Sequence, residues 1–141
     1  MLPPLRLHHV GILVRDIESA AREYVSHMGY SVRTPKLHDP AQTAYVQFLA
    51  LPGERTLLEL VAPDSPRSRL TNALRKGGGL NHLCYAAPDI EATCRDWRAA
   101  GFFLIHAPMP AVAFSGRSIA WLMNSDCVLM ELVEEGPAGE L

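Results

Sequence analysis

The stretch LNHLCYAAPDIEA (Leu80–Ala92) decides the fold, because a closely similar stretch occurs earlier in the chain. LHHVGILVRDIESA (Leu7–Ala20) has the same order of residue types, and His9 precedes its counterpart His82 by 73 positions (82 − 9 = 73). An aspartate follows each of these histidines at the same distance, with Ile-Glu directly after it. The chain therefore contains two copies of one structural unit.

A second pair of stretches repeats at nearly the same interval. LELV at 58–61 returns as MELV at 130–133, so Glu59 corresponds to Glu131 (131 − 59 = 72). This period is longer than the roughly 20–50 residues of solenoid repeats. The repeat indicates a duplicated half-domain rather than a repeat array.

Alternation and helical spacing predict the order β-α-β-β-β in each half. In the first half, strands are expected at 5–14, 30–33, 43–51 and 55–61, with a helix at 16–28 and a loop at 34–42. In the second half, strands are expected at 80–86, 102–106, 117–123 and 127–134, with a helix at 89–100 and a loop at 107–115. A connector at 62–79, with a short helix at 68–75 and three glycines at its end, joins modules 5–61 and 80–134 into a single α+β domain over residues 1–141.

The composition excludes several classes of protein. A chain of 141 residues suits one compact domain, which buries roughly 68–70% of its unfolded surface. The formal net charge of −2 gives no reason to expect nucleic acid or a membrane surface as a partner. No leader peptide and no apolar run of membrane-spanning length are evident. Three cysteines without CxxC spacing predict neither a disulfide framework nor a zinc knuckle, which favours a cytoplasmic location.

Four side chains at duplicated positions point to a metal site: His9, Glu59, His82 and Glu131. Strand alternation gives each of them apolar neighbours on its own face. An unpaired carboxylate in such surroundings would cost several kcal/mol, whereas one divalent cation could hold two carboxylates and two neutral imidazoles. A lone histidine is more often structural, and a lone glutamate can face water on a one-sided sheet. The duplication favours the metal.

Two further groups of residues need an assignment. His8 lies next to His9, but the repeat aligns His8 with Asn81, so it is predicted not to be a ligand. The connector is basic, with Arg67, Arg69 and Arg75. Most such clusters are solvated surfaces; the alternative is that these arginines receive an anionic group of a substrate.

With these features the chain resembles the vicinal oxygen chelate (glyoxalase) superfamily over nearly its whole length. That superfamily includes glyoxalase I, methylmalonyl-CoA epimerase, extradiol dioxygenases, and fosfomycin and bleomycin resistance proteins. The resemblance implies two βαβββ modules whose mixed sheet curls into a cup around one divalent ion. It carries the ligand roles onto His9, Glu59, His82 and Glu131. It also implies a homodimer, because many members pair their modules between chains.

Three stretches are most similar to methylmalonyl-CoA epimerases and to epimerase-like bacterial glyoxalases I. They are HHVGILVRDIESA, then LLELVAPDSPRSRLTNALRKGGGLNHLCYAAPDIEA, and finally VLMELVE. The sequence departs from the epimerases shortly before the third strand, where they tend to carry an acidic residue and this chain has Asp39-Pro40-Ala41-Gln42. The similarity implies an enzyme that moves a proton on the carbon next to a carbonyl.

The catalytic base is expected to be Glu131 first and Glu59 second, at the edge of a Ni, Co, Mn or Zn ion. The expected substrate is an acyl-CoA thioester, acted on by an epimerase. Alternatives are a glutathione or other thiol hemithioacetal, acted on by a lactoylglutathione lyase, and a non-catalytic binding or resistance protein. An iron-dependent dioxygenase is disfavoured, because its usual ligand set is two histidines and one carboxylate.

Overall fold

The computed structural model describes residues 2–141 and contains, within them, nine strands and three helices. The strands are β1 (Arg6–Leu13), β2 (Ser31–Val32), β3 (Leu37–Asp39), β4 (Ala44–Ala50), β5 (Leu57–Pro63), β6 (Gly79–Ala87), β7 (Phe103–Pro110), β8 (Ser118–Met123) and β9 (Leu129–Glu134). The helices are α1 (Ile17–Met28), α2 (Thr71–Arg75) and α3 (Ile90–Ala99). Contacts divide the chain into two compact units. The N-terminal unit comprises residues 9–81, and the C-terminal unit comprises residues 82–141 together with 2–8.

In the N-terminal unit, α1 covers one face of a mixed set of strands. β5 pairs parallel with β1 and antiparallel with β4. Ile17 and Ala21 of α1 pack against Leu58 and Leu60 of β5 in one apolar cluster. Because side chains alternate along a strand, Glu59, which lies between these two leucines, projects to the face away from α1.

Helix α1 begins and ends where the sequence predicts. Asp16 is its N-cap, and the Asp16 Oδ2 atom accepts a hydrogen bond of 2.8 Å from the backbone N–H of Ser19. This bond holds the pKa of the Asp16 carboxyl below its usual value. Gly29 ends the helix at φ 82°, a left-handed conformation that glycine adopts without steric cost.

The predicted loop at 34–42 is partly wrong, because it contains strand β3 and a 3₁₀ turn at Pro40–Gln42. Both β2 and β3 pair antiparallel with β4, so they are two pieces of one interrupted strand. Pro35 lies in the interruption, and a proline has no N–H to donate to a ladder. The module therefore keeps the order β-α-β-β-β, with its second strand broken.

The C-terminal unit repeats the arrangement. β9 pairs parallel with β6 and antiparallel with β8, and β8 pairs antiparallel with β7. Ile90 and Cys94 of α3 pack against Leu122 and Leu132, and Leu5 joins the same cluster. Burial raises the pKa of the Cys94 thiol, consistent with its packing in this apolar layer. As in the other unit, the strand residues between the helix-facing ones project to the opposite face.

The predicted loop at 107–115 is also partly wrong. β7 continues to Pro110, and a 3₁₀ turn follows at Val112–Phe114. The strand is irregular, with register shifts between Leu104 and His106 and between His106 and Met109. Prolines near the end of β7 favour a loop in the sequence-based prediction. The strand tolerates them because it is an edge strand, which pairs with β8 along one side.

The connector is fixed by a buried serine. Ser68 donates a hydrogen bond of 2.7 Å to the backbone oxygen of Thr43 and accepts one of 3.1 Å from the backbone N–H of Leu70. The helix of the connector accordingly begins at Thr71, three residues later than predicted. At its end, Gly78 has φ 67° and approaches the backbone oxygen of Leu13, where a Cβ atom would lie 2.8 Å away. Only glycine fits this approach.

The expected α+β class with βαβββ modules is confirmed by this order of elements. The module boundaries 5–61, 62–79 and 80–134 remain a prediction, since the compact units follow contacts and not the sequence repeat. None of the helices within residues 2–141 is long and apolar enough to span a bilayer.

Candidate metal centre

In the N-terminal unit, an imidazole and a carboxylate meet on the face away from α1. His9 of β1 is fully buried, and Glu59 of β5 is 7% exposed. The Nε2 atom of His9 lies 3.3 Å from the Oε1 atom of Glu59. The parallel register that pairs Gly11 with Glu59 sets the two side chains side by side.

The C-terminal unit contains the same pair. His82 of β6 is 2% exposed and Glu131 of β9 is 4% exposed. The Nε2 atom of His82 lies 3.3 Å from the Oε1 atom of Glu131. Here the register pairs Cys84 with Glu131, at the position that corresponds to Gly11 and Glu59. Each unit therefore brings together the histidine and glutamate that the repeat selects.

The burial of the two carboxylates excludes the water-facing alternative for Glu59 and Glu131. A glutamate on the solvated face of a one-sided sheet would be largely exposed, and neither of these is. Buried carboxylates need a compensating partner, which a histidine or a cation supplies.

The distances fit two ligands of one cation better than a direct ion pair. A charge-assisted N–H···O bond is typically about 2.7–2.9 Å long, shorter than the 3.3 Å seen in both pairs. Two donor atoms that each lie about 2.1 Å from one divalent ion are roughly 3–3.4 Å apart at common ligand angles. By donor chemistry and burial, His9, Glu59, His82 and Glu131 are candidate metal ligands.

His8 has a different environment from His9. Although it is also buried, its ring stands edge-on to Phe114, with centroids 5.4 Å apart and an interplanar angle of 82°. His9 instead contacts Glu59 and Phe48. The assignment of His8 to the opposite face, as a residue that is not a ligand, stays a prediction.

His9 and His82 each also contact an aromatic ring that was not among the residues predicted for the site. The ring centroids of His9 and Phe48 are 5.1 Å apart, and those of His82 and Trp121 are 4.9 Å apart; both pairs are perpendicular at 83°. The signal was present in the sequence, because Phe48 and Trp121 are separated by the repeat interval (121 − 48 = 73). These rings flank the candidate ligands in both units.

Two other residues named from the sequence have structural contacts. Asp39 caps the 3₁₀ turn, where its Oδ1 atom accepts a hydrogen bond of 3.3 Å from the backbone N–H of Gln42. Arg69 donates from its guanidinium to the backbone oxygen of Ala41. The segment before β4 is thus fastened to the connector, and Asp39 is already engaged as a cap.

The remaining connector arginines lie at the surface. Arg67 and Arg75 are exposed, and the Nη1 atom of Arg75 donates a hydrogen bond of 3.1 Å to Asn72 within α2. Their charges are accessible to a ligand, and the substrate-binding role of Arg67, Arg69 and Arg75 stays a prediction.

Comparison with known proteins gives a consistent result. A family model described as the Glyoxalase/Bleomycin resistance protein/Dioxygenase superfamily matches residues 8–121. The ethylmalonyl-CoA/methylmalonyl-CoA epimerase of Cereibacter sphaeroides is 32% identical over 123 residues, which cover 86% of this chain and 90% of that protein.

Solved structures of epimerases share the fold. The methylmalonyl-CoA epimerase from Mycobacterium tuberculosis is 31% identical, with a TM-score of 0.82 over 93% of this chain and 88% of that chain. A variant of the Streptomyces coelicolor methylmalonyl-CoA epimerase, in complex with 2-nitronate-propionyl-CoA, is 26% identical, with a TM-score of 0.80 over 97% of this chain and 100% of that chain. The expected resemblance to epimerases is confirmed.

Proposed function

Because the chain belongs to the glyoxalase/bleomycin resistance protein/dioxygenase superfamily, we propose that it is a metal-dependent epimerase of acyl-CoA thioesters. The substrate class is a 2-carboxyacyl-CoA such as methylmalonyl-CoA, in which the carbon between two carbonyl groups carries an acidic hydrogen. The observation that carries the proposal is the duplicated, buried histidine–glutamate pair. The similarity to acyl-CoA epimerases supports the choice of substrate.

His9, Glu59, His82 and Glu131 would together hold one divalent ion. Two imidazoles and two carboxylates are suitable donors for Ni, Co, Mn or Zn, and all four side chains are buried. When bound, such an ion supplies Lewis-acid stabilisation of the negative charge that develops on a substrate oxygen. The assay with each metal in turn, described below, determines which ion the protein uses.

Glu131 would act as the general base. Its carboxylate accepts the proton from the carbon next to the thioester carbonyl, and the electron pair of the broken C–H bond delocalises into that carbonyl. A proton then returns to either face of the planar carbon, so the configuration can invert. Substrate and product have the same atoms and oxidation state, and the reaction needs no further reactant. Glu59 is the second carboxylate available for this role.

The test is a panel assay on purified protein loaded with each metal in turn. We expect epimerisation of methylmalonyl-CoA and little conversion of a methylglyoxal–glutathione hemithioacetal. Conversion of the hemithioacetal alone would favour the lactoylglutathione lyase alternative. Tight binding of ligands without turnover of either would favour the binding-protein alternative.

The basic connector would hold the phosphate groups of coenzyme A. The exposure of Arg67 and Arg75 supports this role, whereas Arg69 also braces the segment at Ala41. In Arg67→Ala and Arg75→Ala variants, the KM for an acyl-CoA should rise, while the KM for an acyl-pantetheine without the nucleotide phosphates should not. Arg98 is an exposed arginine in α3, outside the connector, and Arg98→Ala is the matched control. An equal rise of KM in Arg98→Ala would contradict a specific role of the connector arginines in binding coenzyme A.

Two further parts of the proposal concern the state of the protein in the cell. We propose a homodimer, which light scattering at micromolar concentration would distinguish from a monomer. We also propose a cytoplasmic location, consistent with three cysteines whose spacing does not suggest a disulfide framework.

A further inference from the structure

Trp121 lies on the same face of the C-terminal unit as the candidate ligands. β8 and β9 pair antiparallel with Trp121 directly opposite Glu131, and directly paired residues project to the same side of a sheet. The indole also stands at 83° to the ring of His82. Trp121 is thus adjacent to both members of this histidine–glutamate pair.

The indole N–H of Trp121 is buried and has no hydrogen-bond partner among residues 2–141. A buried indole N–H usually finds an acceptor, because leaving it without one forfeits its hydration. Indole is a donor only, so the group that completes it must be an acceptor. An oxygen atom of a molecule bound at this face meets that need.

The corresponding residue in the other unit cannot make such a bond. Phe48 has the same edge contact with His9 and pairs in register with Glu59, as Trp121 does with Glu131. A phenyl ring offers no donor. The two histidine–glutamate pairs have the same separation, but of the two aromatic residues beside them Trp121 carries an N–H and Phe48 does not.

We propose, on the basis of the acyl-CoA epimerase function above, that Trp121 is a substrate-binding residue. Its N–H donates a hydrogen bond to the thioester carbonyl oxygen of the bound acyl-CoA and so holds the acidic C–H next to Glu131. The bond makes the two units inequivalent towards substrate. It assigns proton abstraction to the C-terminal unit.

The alternative is that Trp121 only orients the ring of His82. Phe48 shows that a phenyl ring suffices for that purpose, so Trp121→Phe removes the N–H and keeps an aromatic edge. If orientation is the only role, this variant should behave like the wild type. If the N–H binds substrate, the variant should lose catalysis while its metal content is unchanged.

The direct experiment observes the indole protons by NMR on protein labelled with ¹⁵N at tryptophan. The chain has two tryptophans, and Trp97, which packs against Phe102 on the helix-covered face, is an internal control. Propionyl-CoA, which has the thioester but lacks the free carboxylate of methylmalonyl-CoA, serves as the probe, with free coenzyme A as the unacylated control. We expect the Trp121 proton to shift downfield and exchange more slowly with propionyl-CoA only. The Trp97 signal should stay in place.

The kinetic experiment compares Trp121→Phe with Trp97→Phe. Loss of one hydrogen bond should lower kcat/KM for methylmalonyl-CoA about 3- to 10-fold in Trp121→Phe, with metal content and thermal midpoint retained. Trp97→Phe should match the wild type.

An unmoved Trp121 signal at saturating propionyl-CoA, or an unchanged kcat/KM in Trp121→Phe, would overturn the role of Trp121 and leave the epimerase function intact. A wild type that neither epimerises nor binds acyl-CoA would overturn both.

Discussion

The Nε2 atom of His82 and the Oε1 atom of Glu131 lie 3.3 Å apart, the same separation as between His9 and Glu59. The two distances are equal because, in each unit, a parallel strand pair with equivalent register holds the histidine beside the glutamate. The N-terminal and C-terminal halves of the chain thus each produce the same donor pair.

The first prediction concerns metal content. Loss of a residue that only supports a metal ligand typically lowers metal affinity about 10–100-fold. His9→Ala and His82→Ala, which each remove a candidate ligand, should lower the affinity for Co²⁺ or Zn²⁺ by at least this factor. His8→Ala should leave it unchanged, because the His8 ring packs against Phe114. Elemental analysis after dialysis against the metal measures the effect. Full metal content in both His9→Ala and His82→Ala would contradict the site.

The second prediction concerns the base. Glu131→Gln keeps the shape and one oxygen donor of the side chain but removes its basicity. The exchange of the C-2 hydrogen of methylmalonyl-CoA with D₂O should therefore fall about 10²–10⁴-fold. Mass spectrometry measures the exchange, and metal content is determined on the same sample.

Glu59→Gln is the matched control for this base, because it makes the same chemical change at the duplicated position. We expect a smaller loss of exchange than in Glu131→Gln. Equal exchange in metal-loaded Glu131→Gln and wild type, with a loss in Glu59→Gln, would transfer the role to Glu59.

The third prediction concerns the connector. Gly78→Ala places a Cβ atom 2.8 Å from the backbone oxygen of Leu13, at a φ of 67° that already disfavours alanine. We expect a loss of about 2–4 kcal/mol in the free energy of unfolding, since left-handed strain and overpacking both contribute. Denaturant titration measures it.

Gly53→Ala separates these two causes. Gly53 also has a positive φ, 77°, but a Cβ atom there would meet nothing within 4 Å. This variant should therefore lose only about 1–2 kcal/mol. Equal losses at the two glycines would mean that the approach to Leu13 does not matter.

The fourth prediction concerns pH. The hydrogen bond from Ser19 lowers the pKa of Asp16 in the folded protein. The stabilisation by the ionised side chain is therefore complete above the unfolded pKa and is lost as the pH falls through the folded pKa. Asp16→Asn keeps a capping oxygen that does not titrate, so its thermal midpoint should fall less than that of the wild type between pH 5 and strong acid.

Asp96→Asn, an exposed aspartate within α3, controls for the general loss of one negative charge. A pH profile for Asp16→Asn that runs parallel to the wild type would contradict the role of the charged cap.

The sequence predicted the boundaries of α1 and α3 correctly, because the signals there were local. Asp16 and Asp89 cap α1 and α3 as expected, because an N-cap depends on residues three positions apart. Strand alternation predicts opposite faces for His8 and His9, since successive side chains of a strand point to opposite sides, and their rings contact different aromatic residues.

Strand β3 and the end of β7 could not be read from the sequence. Both lie in proline-containing segments, and their extended backbone is held by antiparallel pairing with the next strands, β4 and β8. Local propensity favours a loop there, and only tertiary hydrogen bonding overrides it.

The surroundings of the candidate ligands likewise depended on tertiary structure. Phe48 and Trp121 share the repeat interval, but that interval alone does not reveal that their rings stand against His9 and His82. A repeat and an alternation pattern determine which residues face the site. The register between strands, set by hydrogen bonds across the sheet, determines which of those residues touch.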